Sequence, residues 1–208
     1  MSSLAVTPPF KRLFASITPP PDWIRGAAKI KQQLERIYGT AVRWSDPESY
    51  HITARFLGNL PPHIADSLIA TWSNLGENTL SAPTISPEPC GCFPEKTDPP
   101  RVIWIGAQAS TEWDSILAHI DKHLSSLGID YRSDASIPHL TLGRVKDPHR
   151  VSGLREKVSS YLLRAKPFCA EEIDLMLSTP SPTGSTYTRL SAFTLVSGAF
   201  LHRHKRDK

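Results

Sequence analysis

A repeated interval constrains this chain more than any other feature. Arg12-Leu13-Phe14 opens a run with strand character, helical periodicity follows, and His51 arrives 39 residues on. Arg101-Val102-Ile103 opens a second such run, helical periodicity follows again, and His139 arrives 38 residues on. A strand–helix–strand unit used twice predicts two similar lobes related by an approximate two-fold axis. Each unit ends in the same kind of triplet, His51-Ile52-Thr53 and His139-Leu140-Thr141. Residues two apart on a β-strand share a face, so each triplet offers an imidazole and a hydroxyl side by side. Duplication would then set the two triplets facing each other across the join between lobes, where ligand clefts tend to lie.

The rest of the pattern fills in around this frame. Strands are expected at Arg12–Ile17, Val42–Trp44 and His51–Leu57, with helices at Asp22–Tyr38 and Pro62–Leu75. Asp22 is the expected N-cap of the first helix, Gly39 its stop, and Gly76 the stop of the second. The second half should give strands at Ser86–Phe93, Arg101–Gly106 and His139–Val145, and helices at Thr111–Leu127 and Val151–Leu163. A closing pair, Glu172–Ser178 and Thr186–Val196, flanks the turn-rich segment Thr179 to Gly184. Prolines cluster between these segments and are read as turns and element ends.

Composition removes several classes of function. No apolar run approaches the roughly 20 residues that cross a bilayer, and the start, Met1 to Pro9, has no basic n-region or apolar h-region of a secretory signal. Three cysteines without metal-finger spacing favour a reducing cytoplasm. Cys90-Gly91-Cys92 reads either as a redox pair or as small residues in a strand. A net charge of +4 suits an anionic substrate without indicating a nucleic-acid scaffold. Much of that excess sits in the tail His202 to Lys208, which reads either as an RNA-phosphate contact or as a frayed, solvated end.

With 8 His and 15 Thr in 208 residues, chance alone gives roughly 0.6 His-x-Thr triplets. The pair is therefore informative only through its setting. Two imidazoles and two hydroxyls round one small anion suit proton transfer near neutral pH, and the simplest such chemistry is metal-free attack of water on a phosphate ester. His119 and His123, at i and i+4 on a helix, read either as half of a metal site or as a solvated helix face; no third ligand is evident.

Beyond this point the residues resemble a known family. Tyr50-His51-Ile52-Thr53-Ala54-Arg55-Phe56-Leu57-Gly58 and Pro138-His139-Leu140-Thr141-Leu142-Gly143-Arg144 resemble the two signatures of the two-histidine (2H) phosphoesterases. Within that superfamily the chain is similar to the LigT-like branch, the RNA 2′,3′-cyclic phosphodiesterases also described as 2′-5′ RNA ligases. Arg12 to Ile17, Pro100 to Gly106, and Leu177 to Gly184 with Tyr187 and Leu190 support that branch. The resemblance implies an α+β fold: one bilobal domain over residues 10–196, antiparallel sheets lining a central cleft, helices outside, and terminal extensions 1–9 and 197–208.

It also implies hydrolysis of a terminal 2′,3′-cyclic phosphate to a 2′-phosphate, with His51 as proton donor and His139 as proton acceptor. Thr53 and Thr141 would hold the non-bridging oxygens, and reverse 2′-5′ joining would be the same chemistry run backwards. No cofactor and no metal are expected, and the partners would be RNA ends or nucleotides bearing a cyclic phosphate, met by a cytoplasmic monomer. Phe56 and Arg144 lie five residues after each His. Strict alternation would turn both away from the cleft, whereas a twist or bulge would return them as base-stacking and phosphate contacts. Tyr187 is a candidate phosphate or ribose contact; Arg12 and Arg101 read as symmetric lining residues or as solvated strand ends. Ala54, where the family commonly has a larger aliphatic residue, and Arg55 beside it are departures that bear on substrate preference. The alternatives are a 2H phosphodiesterase of small cyclic nucleotides or 2′-5′ oligonucleotides, and a non-catalytic RNA-end binding module.

Overall fold

The computed structural model describes residues 10–76, 80–129, 137–182 and 184–197. The basic tail from His202 lies outside them, as do residues 1–9. Among the described residues nine strands form a single sheet: β1 (Lys11–Ile17), β2 (Val42–Trp44), β3 (Ile52–Leu60), β4 (Thr84–Phe93), β5 (Val102–Ala109), β6 (His139–Val145), β7 (Phe168–Cys169), β8 (Glu172–Ser181) and β9 (Gly184–Thr194). Every pairing between these strands is antiparallel, in the order β7-β4-β5-β6-β3-β1-β8-β9, with β2 added on β6. The order is symmetric about its centre. β3 and β6, the two motif strands, meet there through one cross-strand pair, Ile52 with Leu140.

Each half of the chain contributes to both lobes. β4 follows the first repeat yet pairs with β5 of the second, while β8 follows the second repeat and pairs with β1 of the first. The helices are exchanged in the same sense. The first helix, α1 (Pro21–Tyr38), docks Trp23 edge-on against Phe168, and the Trp23 indole donates to the Lys166 carbonyl at 2.8 Å, beside the β4-β5-β6 half. α3 (Glu112–Ser126) lies instead over the β3 side. Strand pairing satisfies edges wherever they fall, and here the strand that follows each repeat covers the other repeat's edge.

Helix faces explain their burial. α1 buries Trp23, Ala27, Ile30, Leu34 and Tyr38, spaced three and four apart. Its N-cap is Pro20, with Pro21 at the first helical position, so Asp22 does not cap but sits in the first turn, where the helix dipole favours a carboxylate. Gly39 closes it as expected. α2 spans Pro62–Trp72 and tightens to a 3₁₀ turn ending at Gly76.

Three expectations change. The helix over 151–163 shrinks to α4, Leu154–Ser159, and Phe168–Cys169 adds an unforeseen short strand. Prolines also occur within strands. Pro89 is the extra residue of a β4 bulge, where its missing N–H interrupts no ladder bond. Pro180 extends β8 nearly to the tip of its hairpin. No helix among the described residues is long and apolar enough to cross a membrane.

Candidate active site

The Ile52–Leu140 pair determines what the two motifs can do. Both side chains are fully buried, so the residues on either side of each face the opposite way. Continuing the antiparallel register by one residue sets His51 beside Thr141 and His139 beside Thr53. All four line one cleft of about 1180 Å³ between the lobes.

The histidines are held alike. His51 Nδ1 donates to the Ser49 carbonyl at 2.7 Å, and His139 Nδ1 donates to the Ile137 carbonyl at 2.8 Å. A carbonyl oxygen can only accept, so Nδ1 keeps its proton in both rings and Nε2 is left to exchange one. Each ring also leans on aromatic walls. His51 lies 4.9 Å from Phe14 and 5.0 Å from Tyr187, centroid to centroid, and His139 lies 5.0 Å from Phe93 and 6.2 Å from Trp104. Gly91 makes room for that indole, since a methyl there would sit 2.5 Å from its ring.

Burial lowers both imidazole pKa values below the usual 6.5, and the Arg144 charge lowers both further. Their carbonyl bonds oppose this in part, and a proton on His139 lowers His51 again. Acid–base catalysis by the pair needs one proton shared between two sites. Lowered values mean that this proton is lost as pH rises through a point below 6.5. The expected pH profile of kcat/KM for a 2′,3′-cyclic nucleotide is a bell with its maximum and its alkaline limb below pH 6.5. A plateau extending to pH 8 would contradict it.

Strand irregularities decide the flanking positions. In β3 the register runs Ser16–Thr53, Ala15–Arg55, Phe14–Phe56, so Ala54 is an extra, bulged residue. In β6 it runs Trp104–Thr141, Ile103–Gly143, so Leu142 is its counterpart. A bulge one residue past each Thr reverses the alternation. Phe56 and Arg144 therefore return to the cleft lip, both exposed. Tyr187 on β9 also lines the cleft, 5.2 Å from Phe14.

The same bulge turns Arg55 outward, away from any substrate. Arg55 makes two bonds of 2.9 and 3.0 Å to the Asp121 carboxylate on α3. Its role is to fasten the motif strand to a helix, and removing it would take two charge-assisted bonds from a half-buried carboxylate. Arg55→Ala should cost about 2 kcal/mol, or roughly 4–8 °C in thermal denaturation, with far less effect on kcat/KM than loss of a cleft residue.

Arg12 lines the cleft and Arg101 does not. The two are not equivalent in register: Ser16 and Trp104 hold equivalent places opposite the two threonines, so Arg101 corresponds to Leu13 and not to Arg12. His123 Nε2 lies 2.9 Å from the Thr71 hydroxyl on α2, a helix–helix contact, and among the described residues no cluster of three His, Cys, Asp or Glu side chains includes it. Cys90 and Cys92 are buried in β4, where burial raises their thiols to about 12 and about 11, so they pack and do not react. Sequence reasoning missed Phe14, Phe93 and Trp104 as imidazole walls. It also missed Ser16, whose buried hydroxyl lies opposite Thr53 without a partner among the described residues. The alternation of Phe14 and Ser16 in β1 was the available signal.

A two-lobed antiparallel sheet with a histidine and a threonine from each half on its cleft floor defines the class of two-histidine phosphoesterases. Comparison with known proteins agrees. The model of the family described as LigT like phosphoesterase matches residues 17–104. The RNA 2′,3′-cyclic phosphodiesterase of Methanocaldococcus jannaschii is 30% identical over 85% of this chain and 96% of its own length. That of Archaeoglobus fulgidus is 32% identical over 79% of this chain and 91% of its own. The chain belongs to the LigT-like phosphoesterase family. Its fold is shared with the TT0787 protein of Thermus thermophilus (TM-score 0.70, 22% identity, 90% of this chain and 99% of that one). It is shared also with Escherichia coli LigT complexed with 3′-AMP (TM-score 0.67, 20% identity, the same coverage).

Proposed function

We propose that the protein opens the 2′,3′-cyclic phosphate at an RNA end, leaving a 2′-phosphate and a free 3′-hydroxyl. One observation carries this reading: a single cross-strand pair, Ile52 with Leu140, gathers an imidazole and a hydroxyl from each half of the chain at one point. The activity named for the archaeal relatives supports it.

Water attacks the phosphorus as His139 Nε2 takes its proton. The bond to O3′ breaks as His51 Nε2 delivers a proton to that oxygen, and the two rings exchange protons with solvent before the next turnover. Each such transfer typically contributes about 10²- to 10⁴-fold. Thr53 and Thr141 donate to the non-bridging oxygens, where charge builds in the transition state. Phe56 and Tyr187 offer ring faces to the terminal nucleoside, and Arg144 offers a cation to the phosphate.

The test is direct. Incubation with a 2′,3′-cyclic nucleotide, and with an oligonucleotide ending in one, is followed by phosphorus NMR in the presence of chelator. A 2′-monoester resonance that grows at an unchanged rate with chelator is expected. Persistence of the cyclic diester in both substrates would sink the proposal.

A further inference from the structure

Among the described residues three arginines line the cleft: Arg12 on β1, Arg43 on β2 and Arg144 on β6. Within that same set of residues none of the three is ion-paired with a carboxylate. Three acids share the cleft, Glu35, Asp46 and Glu48, and among the described residues none forms an ion pair with these arginines. Glu35 pairs with Lys31 at 3.2 Å, and Asp46 caps the 3₁₀ turn over Pro47–Ser49. Glu48 lies in that turn.

Arg43 and Arg144 are direct cross-strand partners in β2 and β6. Like charges in that relation destabilise a sheet. The close approach is nevertheless built in: β2 runs so near Gly143 that a methyl there would lie 2.8 Å from Val42 Cγ1 and 3.0 Å from the Arg43 carbonyl. Two adjacent guanidinium groups, unneutralised within the described fold, form a site for an anion.

Arg144 also faces the reacting phosphate, and Arg43 extends the pair away from it. β3 and β6 touch only at Ile52–Leu140, and β2 takes the place beside β6 that β3 leaves. Arg43 consequently lies further along the cleft than the four motif side chains. Its Cδ and Nε come within 4.0 Å of where a side chain on Gly184 would begin, at the tip of the β8–β9 hairpin. With that tip opposite, and Ser185 and Thr186 on the cleft wall beside it, Arg43 stands where a strand leaving the histidines would pass.

We propose that Arg43, beside Arg144, forms a second phosphate subsite that holds an internal phosphodiester of an RNA strand whose cyclic end occupies the histidines. The proposal rests on the cyclic phosphodiesterase reading, and it makes the substrate a strand end in preference to a mononucleotide. The test compares kcat/KM for 2′,3′-cyclic AMP and for a tetranucleotide ending in a 2′,3′-cyclic phosphate, in wild type, Arg43→Ala and Arg43→Lys. The oligonucleotide-to-mononucleotide ratio should fall about tenfold in Arg43→Ala and largely recover in Arg43→Lys.

A parallel measurement does not depend on turnover. Fluorescence anisotropy gives the Kd of a tetranucleotide ending in a 2′-phosphate at several salt concentrations. Losing one phosphate contact should reduce the slope of log Kd against log salt by about 0.7. An unchanged ratio overturns the proposal, as does an unchanged salt slope. Equal losses on both substrates would place Arg43 on the reacting phosphate and overturn it too. Absence of turnover in wild type, with the salt slope still altered by Arg43→Ala, would instead remove the cyclic phosphodiesterase reading and leave the subsite standing.

Discussion

His51→Ala and His139→Ala are each expected to lower turnover of a 2′,3′-cyclic nucleotide by about 10²- to 10⁴-fold while the fold survives. Both rings sit on the cleft face and not in the core: their neighbours Ile52 and Leu140 are the residues that hold β3 and β6 together. Removing an imidazole therefore deletes a proton-transfer group and leaves the strand pairing in place. Each Ala also empties space against aromatic walls, Phe14 and Tyr187 for His51, Phe93 and Trp104 for His139. A modest fall in thermal stability should accompany the loss of rate. Because the two rings act on one reaction coordinate, the double variant should lose far less than the product of the single losses. Full activity in either single variant would end the acid–base mechanism.

Thr53→Val and Thr141→Val are expected to reduce kcat by roughly 10- to 150-fold, less than either histidine change. Valine keeps the β-branched shape that suits a strand and removes only the hydroxyl. A hydrogen bond to a charged oxygen is worth about 1.5–3 kcal/mol, which sets that range. Thr53 is only 7% exposed and faces Ser16, while Thr141 faces the Trp104 indole and is more open. Thr53→Ser and Thr141→Ser should restore most of the rate, since the hydroxyl returns. If valine raised KM and left kcat unchanged, the hydroxyls would be stabilising the bound ground state as much as the transition state.

The repeat, the element order and both His-x-Thr strands were legible because each rests on local spacing. Val42–Trp44 and His139–Val145 fall where alternation puts them, and Gly39 stops its helix. The bulges at Ala54 and Leu142 were not legible. A bulge is a mismatch between two strands, and one strand's pattern holds no record of its partner's register. The fates of Phe56, Arg144 and Arg55 all hang on those two residues. The unequal placement of Arg12 and Arg101 escaped for the same reason, because symmetry of spacing was one residue away from symmetry of register.

Local spacing alone establishes that this chain carries two equivalent His-Thr faces on two strands of a duplicated unit. Periodicity is a property of a single segment, and backbone geometry converts it into faces without any partner. That the faces meet, through Ile52 and Leu140, and that each half of the chain lends a strand and a helix to the other lobe, emerges only in three dimensions. So does the position of Arg43, unneutralised beside Arg144. Those outcomes depend on which edges pair and in which register, and that is settled by packing between segments far apart in the chain.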